Sequence, residues 1–260
     1  MTHIKSKFLT TLIVIVFLSA CTTPTKTGGE ESVDEKKYNV YKAPASQAYP
    51  EASLKLVAPD TTSLDTGAVA FEFEVSNYEL GIQTPDAEGR GIANSEKGQH
   101  IHLIIDNGPY SAHYEPTFAK KMESGNHVIL AFLSRSYHEA VKNDSSYILT
   151  TVAVGNPNEP STFDPSGQHL FFSRPKGTYS GTDTEKLMID FWLINTSISP
   201  DGNKVKATIN GEEHLITEWA PYFVEGLEKG ELSLKLELID KDGNLIPGPY
   251  NSVERKVTLE

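Results

Sequence analysis

Residues 98–138 read GQHIHLIIDNGPYSAHYEPTFAKKMESGNHVILAFLSRSYH. Two segments within them, 99–106 and 127–133, carry apolar side chains at every second position, the period of a half-buried strand. The stretch between is polar and aromatic, and Asp106-Asn107-Gly108-Pro109 supplies turn chemistry. The same pattern continues on both sides, as short alternating runs separated by Gly, Pro, Asn and Asp. Upstream and downstream lie 53–57, 68–75 and 147–154. After a proline-containing joint at 155–167 come 169–173, 186–193, 204–210, 232–239 and 253–259. Short strands at regular spacing predict antiparallel sandwiches, not a parallel sheet. No segment sustains a helical period beyond a turn or two.

The second half repeats the first. VAFEFEVSN (69–77) answers LMIDFWLIN (187–195), HIHLIIDNG (100–108) answers KVKATINGE (204–212), and GNHVILAFL (125–133) answers GELSLKLEL (230–238). The expected fold is all-β, with two tandem immunoglobulin-like β-sandwich domains at 52–156 and 168–260. The repeat also assigns faces. In the second copy Val205, Ala207 and Ile209 alternate with Lys204, Lys206 and Thr208, so the apolar set faces the core and the lysines face solvent. Transposed to the first copy, Ile101, Leu103 and Ile105 face the core while His100 and His102 point outward. His127 takes the place of Leu232 at the end of a core row with Ile129, Ala131 and Leu133. The histidines are therefore additions to a scaffold that folds without them.

Residues 1–21 belong outside any fold argument. Lys5 and Lys7 precede an apolar run, FLTTLIVIVFL at 8–18, too short to span a bilayer. The run ends in Leu18-Ser19-Ala20-Cys21, which resembles a bacterial lipobox; the resemblance implies lipidation of Cys21 and an anchor in the cell envelope. With Thr22 and Thr23 after the cysteine instead of Asp, it implies the outer membrane of a Gram-negative cell. Cys21 is the only cysteine of the 260 residues, so disulfides, thiolate metal sites and cysteine nucleophiles are excluded. Cleavage lowers Lys+Arg from 23 to 21 against 35 Asp+Glu, a net charge of −14. An acidic surface of that size argues against nucleic acid as a partner. Residues 22–51, rich in Thr, Gly, Pro and charge and poor in aliphatics, are expected to form a disordered tether.

Five of the eight histidines fall in 98–138: His100, His102, His113, His127 and His138. His100 and His102, two apart on one strand, leave the same face about 6.5–7 Å apart at the backbone. Such a pair chelates a divalent ion once a loop supplies a third ligand, and His138, His113 and Asp106 are the candidates. Imidazole and carboxylate without sulfur suit Zn²⁺ or Cu²⁺ better than Cu⁺. The competing reading is a solvated sheet face with histidines where the second copy has lysines. Ser134-Arg135-Ser136-Tyr137-His138 resembles the Ser-Arg-x-His signature of forkhead-associated phosphopeptide-binding domains, with one extra residue before the histidine. Gly89-Arg90 stands upstream, at a longer distance than that family has. An arginine flanked by hydroxyls and amides grips phosphate through charge-assisted hydrogen bonds, which nominates His113, Ser134, Arg135, His138 and Tyr110 for an anionic or phosphopeptide ligand. The aromatic loops at 109–116 and 218–223 occur in both copies and read first as packing.

At 98–154 the chain resembles a family of bacterial two-domain lipoproteins of undefined activity. The shared residues are the His-x-His-x-x-x-Asp strand, the Asn-Gly-Pro-Tyr-Ser-Ala-His-Tyr loop, Gly-Asn-His before an apolar strand, and Ser-Arg-Ser-Tyr-His. Ser173-Arg174-Pro175-Lys176-Gly177-Thr178-Tyr179 and Glu218-Trp219-Ala220-Pro221-Tyr222 extend the resemblance over the second copy. Some members are described as phosphopeptide-binding, which implies a binding protein. The histidine strand is also similar to periplasmic domains with His-His-His-Leu-Leu-Ile-Asp, which lean towards metal handling. No Gly-x-Ser-x-Gly elbow, phosphate loop or His-Glu-x-x-His is present, and the expectation is a binding protein and not an enzyme. Its candidate ligands are a peptide or other anion, or a zinc or copper ion. A structural, envelope-assembly role is the remaining alternative.

Overall fold

The computed structural model describes residues 38–60 and 62–260. Seventeen strands account for nearly all of the regular structure. After β1 (Asn39–Lys42), the first sandwich contains β2 (Ser53–Ala58), β3 (Ser63–Leu64), β4 (Gly67–Ser76), β5 (His100–Ile105), β6 (Ser111–His113), β7 (Thr117–Met122), β8 (Gly125–Ser134) and β9 (Tyr147–Val154). The second contains β10 (His169–Arg174), β11 (Gly177–Tyr179), β12 (Lys186–Ile194), β13 (Lys204–Ile209), β14 (Glu212–Ile216), β15 (Tyr222–Glu225), β16 (Gly230–Ile239) and β17 (Ser252–Leu259). The sheet orders repeat strand for strand. In the first sandwich they are β2-β4-β7 and β3-β9-β8-β5-β6; in the second, β10-β12-β15 and β11-β17-β16-β13-β14. The chain thus forms two tandem immunoglobulin-like β-sandwiches, with β9 ending at Val154 and β10 starting at His169.

Alternation places the two cores as the sequence implies. Val69, Phe71 and Phe73 of β4 meet Ile101 and Leu103 of β5 and Ile129, Ala131 and Leu133 of β8. In the second sandwich Leu187, Ile189, Phe191 and Leu193 face Val205, Ala207, Ile209 and the leucines of β16. A third core lies between the sandwiches, which belong to one compact unit, Lys36–Glu260. There the outer face of β5 and β8 (Ile104, Val128, Leu130, Phe132) packs on the outer face of β10 and β12 (Phe171, Trp192, Ile194). Phe132 stacks on Trp192 with ring centroids 5.1 Å apart. Strands buried on both faces read as continuous apolar runs, and VILAFL in β8 and FWLI in β12 do so.

Polar contacts fix the two sandwiches against each other. Arg255 donates to the carbonyls of Asn107 (3.3 Å) and Gly108 (3.0 Å) in the first, and of Phe172 (2.6 Å) and Ser173 (3.0 Å) in the second. Asn107 in turn donates to Leu170 O and Tyr250 O and accepts from Phe172 N. These bonds satisfy backbone groups at the buried seam that would otherwise cost about 1–3 kcal/mol each.

The tether expectation needs correction over its second part. Cys21 and residues 22–37 lie outside the described residues, but Asn39–Lys42 is a strand, paired antiparallel with the edge strand β15 of the second sandwich. The following segment then crosses to the first sandwich. Ala43 N bonds Pro221 O, Arg90 holds the Pro44 and Ala45 carbonyls, and Arg135 holds that of Gln47. Tyr49 Oη donates to Gln99 Oε1 at 2.6 Å. A segment poor in aliphatic residues becomes ordered here because its backbone groups and tyrosines find partners on both sandwiches, with Val40 packed on the second core, and overall hydrophobic content does not register that.

Candidate metal centre

Three of the candidate histidines come together. On β5 the two-residue period sends His100 and His102 out of the same face, away from Ile101 and Leu103. Opposite them β8 ends at Ser134, in register with His100. A tight loop follows, closed by Arg135 N to Glu139 O at 2.8 Å and His138 N to Arg135 O at 2.9 Å, and by the Ser134–Ala140 bridge. This loop turns His138 back over the outer face of β5. His138 adopts φ +67°, a left-handed conformation uncommon outside glycine, which aims its ring at the pair.

The result is a triangle of nitrogens. His100 Nε2 lies 2.8 Å from His102 Nε2 and 3.0 Å from His138 Nδ1, and the third side is 3.5 Å. His100 Nδ1 is 2.8 Å from the carbonyl of Gly98, which can only accept, so Nδ1 carries the proton and Nε2 presents a lone pair. Each of the three nitrogens is either donor or acceptor, so at least one side of the triangle joins two of the same kind, and the triangle is incompletely paired by hydrogen bonds alone. A tetrahedral ion with bonds of about 2.0–2.1 Å separates its ligands by about 3.3 Å. The three nitrogens match that spacing to within about half an ångström, so the cluster could hold a metal ion.

Burial sets the electrostatics. His100 and His102 are fully buried and His138 is half-buried. Desolvation pushes the His100 imidazolium down to about 4, against a smaller opposing effect of the Gly98 carbonyl. Desolvation likewise pushes His102 and His138 well below the usual histidine range, followed for His102 by the neighbouring histidines and for His138 by Arg174. All three are neutral at pH 7, the form that ligates a metal.

Both sandwiches supply the cover. Tyr110, from the loop after β5, stacks on His102 at 3.6 Å, and Phe132 meets that imidazole edge-on. Lys176 Nζ sits 4.0 Å over the Tyr110 ring and donates to Tyr110 O at 2.8 Å, while Arg174 Nη1 donates to Tyr110 Oη at 3.0 Å. Ser173 Oγ is 3.4 Å from His102 Nδ1. Tyr114 packs against His100 at 5.0 Å.

This arrangement corrects the expectation that the histidine face is open to solvent. His100 and His102 do leave the first core, but they enter the seam between sandwiches. The repeat contains the signal. Where the second copy has Ser233, Lys235 and Glu237 on the outer face, the first has Val128, Leu130 and Phe132, a row too apolar for solvent. Arg174, Lys176 and Ser173 were missed as neighbours of the centre because no local pattern shows which sandwich covers which face.

The other candidates lie elsewhere. His113 packs on Phe118 at 3.4 Å and bonds Ser111 Oγ at 2.9 Å. Asp106 pairs with His127 Nδ1 at 2.6 Å and accepts from Val128 N. Neither joins the triangle. The phosphate grip is not assembled: Arg135 is buried, ion-paired to Glu139 at 3.2 Å and donating to Ala140 O and Gln47 O. The Ser134 hydroxyl is buried and donates to Arg135 O. Of that set, Tyr110 and His138 belong to the histidine centre. Trp219 packs as read: its indole donates to Phe191 O and meets Trp192 edge-on, with about a third of it exposed.

Among solved structures, the chain is similar to fibronectin(III)-like modules of Clostridium thermocellum CbhA, at 13% identity over 80% of this chain and 94% of that one, with a TM-score of 0.28. It is also similar to a Bacteroides ovatus mixed-linkage glucan utilization locus protein, SGBP-B, solved with a mixed-linkage heptasaccharide. There the identity is 13% over 79% of this chain and 47% of that one, and the TM-score is 0.23. A central fibronectin-III array of RIM-binding protein matches at 10% identity over 84% and 72%, with a TM-score of 0.25. No model of a protein family and no curated protein matches the chain.

Proposed function

We propose that this is a lipid-anchored metal-binding protein of the cell envelope that holds a transition-metal ion with His100, His102 and His138. The observation that carries the reading is the convergence of three neutral ring nitrogens within 3.5 Å of one another in a buried seam. Binding, and not catalysis, fits an enclosed centre walled by aromatic rings. The envelope location rests on the lipobox alone, and a Cys21→Ala chain should lose lipid labelling and leave the membrane fraction. A phosphopeptide reading has less support, because Arg135 is committed to Glu139 and to backbone carbonyls.

Titration calorimetry of the full chain in detergent tests the proposal, with Zn²⁺, Cu²⁺, Cu⁺ under reductant, and a phosphothreonine peptide as titrants. One metal ion per chain is expected, with no heat from the peptide. His138→Gln, in a loop and only half-buried, should lower metal affinity by at least about a hundredfold while leaving the fold intact. Failure of every ion to bind, or unchanged affinity in His138→Gln, sinks the reading.

A further inference from the structure

We propose that the three-histidine centre selects copper(I) over divalent zinc or copper. The inference rests on the metal-binding reading above and goes on to name the ion by its charge and coordination number.

Ligand count is the first ground. Among the described residues, no Cys, Asp or Glu joins His100, His102 and His138. The nearby carboxylates are engaged: Asp106 by His127 and Val128 N, Glu139 by Arg135 and Ser46, and Asp190 by Lys142 and Ala140 N. Closed zinc sites take four protein ligands, and Cu²⁺ favours a tetragonal set. A filled-shell monovalent ion needs only three nitrogens; with bonds of about 2.0 Å in a plane it would hold them about 3.5 Å apart, the length of the His102–His138 side, and the two sides at His100 would open by about 0.5–0.7 Å. The fourth position is also hard to complete from solvent. His100 and His102 are fully buried, with Tyr110 stacked on one and Tyr114 against the other.

Charge is the second ground. The imidazoles are neutral, so the ion's full charge stays uncompensated by its ligands. Around them stand cations. Arg174 and Lys176 both bond Tyr110, and no ion pair to a carboxylate holds either among the described residues; Arg174 Nε has no hydrogen-bond partner, its guanidinium lies over the Tyr179 ring, and Asp190, its cross-strand neighbour, is engaged by Lys142 and Ala140 N. Repulsion between these groups and the ion scales with the ion's charge, and in a desolvated seam it is poorly screened. A dication meets twice the repulsion of a monocation.

The test is a pair of competition titrations on the full chain. Cu⁺ is measured anaerobically against a chromogenic copper(I) chelator, and Zn²⁺ against a fluorescent zinc chelator. One Cu⁺ per chain is expected, bound at least tenfold more tightly than Zn²⁺. Lys176→Gln, with its fold checked by circular dichroism, should narrow that ratio on the order of fivefold, because Zn²⁺ gains more from losing the charge. If both ions bind and zinc binds more tightly, the centre stands and the copper(I) inference falls. Uptake of Zn²⁺ together with one phosphate or carbonate per chain also overturns it, in favour of a dication with an anionic fourth ligand. A ratio unchanged in Lys176→Gln overturns its electrostatic basis. If neither ion binds, the metal reading fails and this inference with it.

Discussion

Truncation of Phe132 to alanine measures whether the seam between the sandwiches exists in solution. Its ring is fully buried, stacked on Trp192 at 5.1 Å and 5.2 Å from the edge-on His102. Removing a buried phenylalanine side chain costs about 3–5 kcal/mol through lost transfer energy and the cavity left behind. A residue on the outer face of an isolated sandwich would instead change stability by about 0.5 kcal/mol or less. Thr208 provides the control, since its strand β13 is the counterpart of β5 in the second sandwich and its outer face is not covered by another domain. Urea unfolding followed by tryptophan fluorescence reports both variants, and Trp192 lies at the seam itself. The expected result is a loss of about 3–5 kcal/mol for Phe132→Ala and at most about 0.5 kcal/mol for Thr208→Ala. A loss for Phe132→Ala no larger than the control's would mean that the sandwiches are independent and that the histidine face is open.

Acid should act late on metal binding. Burial holds His100 at about 4 and its two partners well below the usual range, so affinity should persist through pH 6.5 and collapse only as pH nears 4, read as a dissociation constant at pH 7.5, 6 and 5; a tenfold weakening between 7.5 and 6 would contradict this. The same shift governs the metal-free fold. Between about 4 and 6.5 the unfolded chain binds a proton at His100 that the folded chain refuses, so stability falls as pH drops through this window, on the order of 3 kcal/mol from His100 alone. Lys42 lies in β1, paired with Tyr222 and followed by the Ala43–Pro221 bond, so limited trypsin should spare the peptide bond after it. Early cleavage there, found by mass spectrometry, would show that the segment is loose.

Both cores were legible because each depends on alternation within one strand and on a repeat that can be aligned with itself. Ile101, Leu103, Ile129, Ala131 and Leu133 fall where period two puts them. The facing of His100 and His102 was legible too, but not what they face. That depends on docking between two sandwiches whose touching residues lie far apart along the chain, as in Ser173 with His102, where the separation is 71. Only a comparison of the two copies' outer faces, Phe132 against Glu237 and Leu130 against Lys235, carries that information. His138 joined the centre as one of three candidate third ligands; the left-handed turn that selects it over His113 and Asp106 has no signature in composition. Arg135 misled for a related reason. The residues around it match a phosphate-binding pattern, but its partner Glu139 is four positions on, and a buried ion pair uses the same donors a phosphate would.

The pairing of β1 with β15 inverts the order in which the chain can assemble. Tyr41 bonds Glu225 across 184 residues, so the first strand to leave a ribosome or a translocation channel is among the last to find its place. Until β15 arrives, the segment 39–50 has half of its partners, those on the first sandwich, and an unpaired strand at its own start. Contacts of such separation slow folding, because the loop they close must be ordered before it is rewarded. If Cys21 is lipidated early, the waiting strand is already held at the membrane while the rest of the molecule is still being threaded. The second sandwich would then be completed beside the bilayer, and such an anchor would localise the final folding step as well as the finished protein.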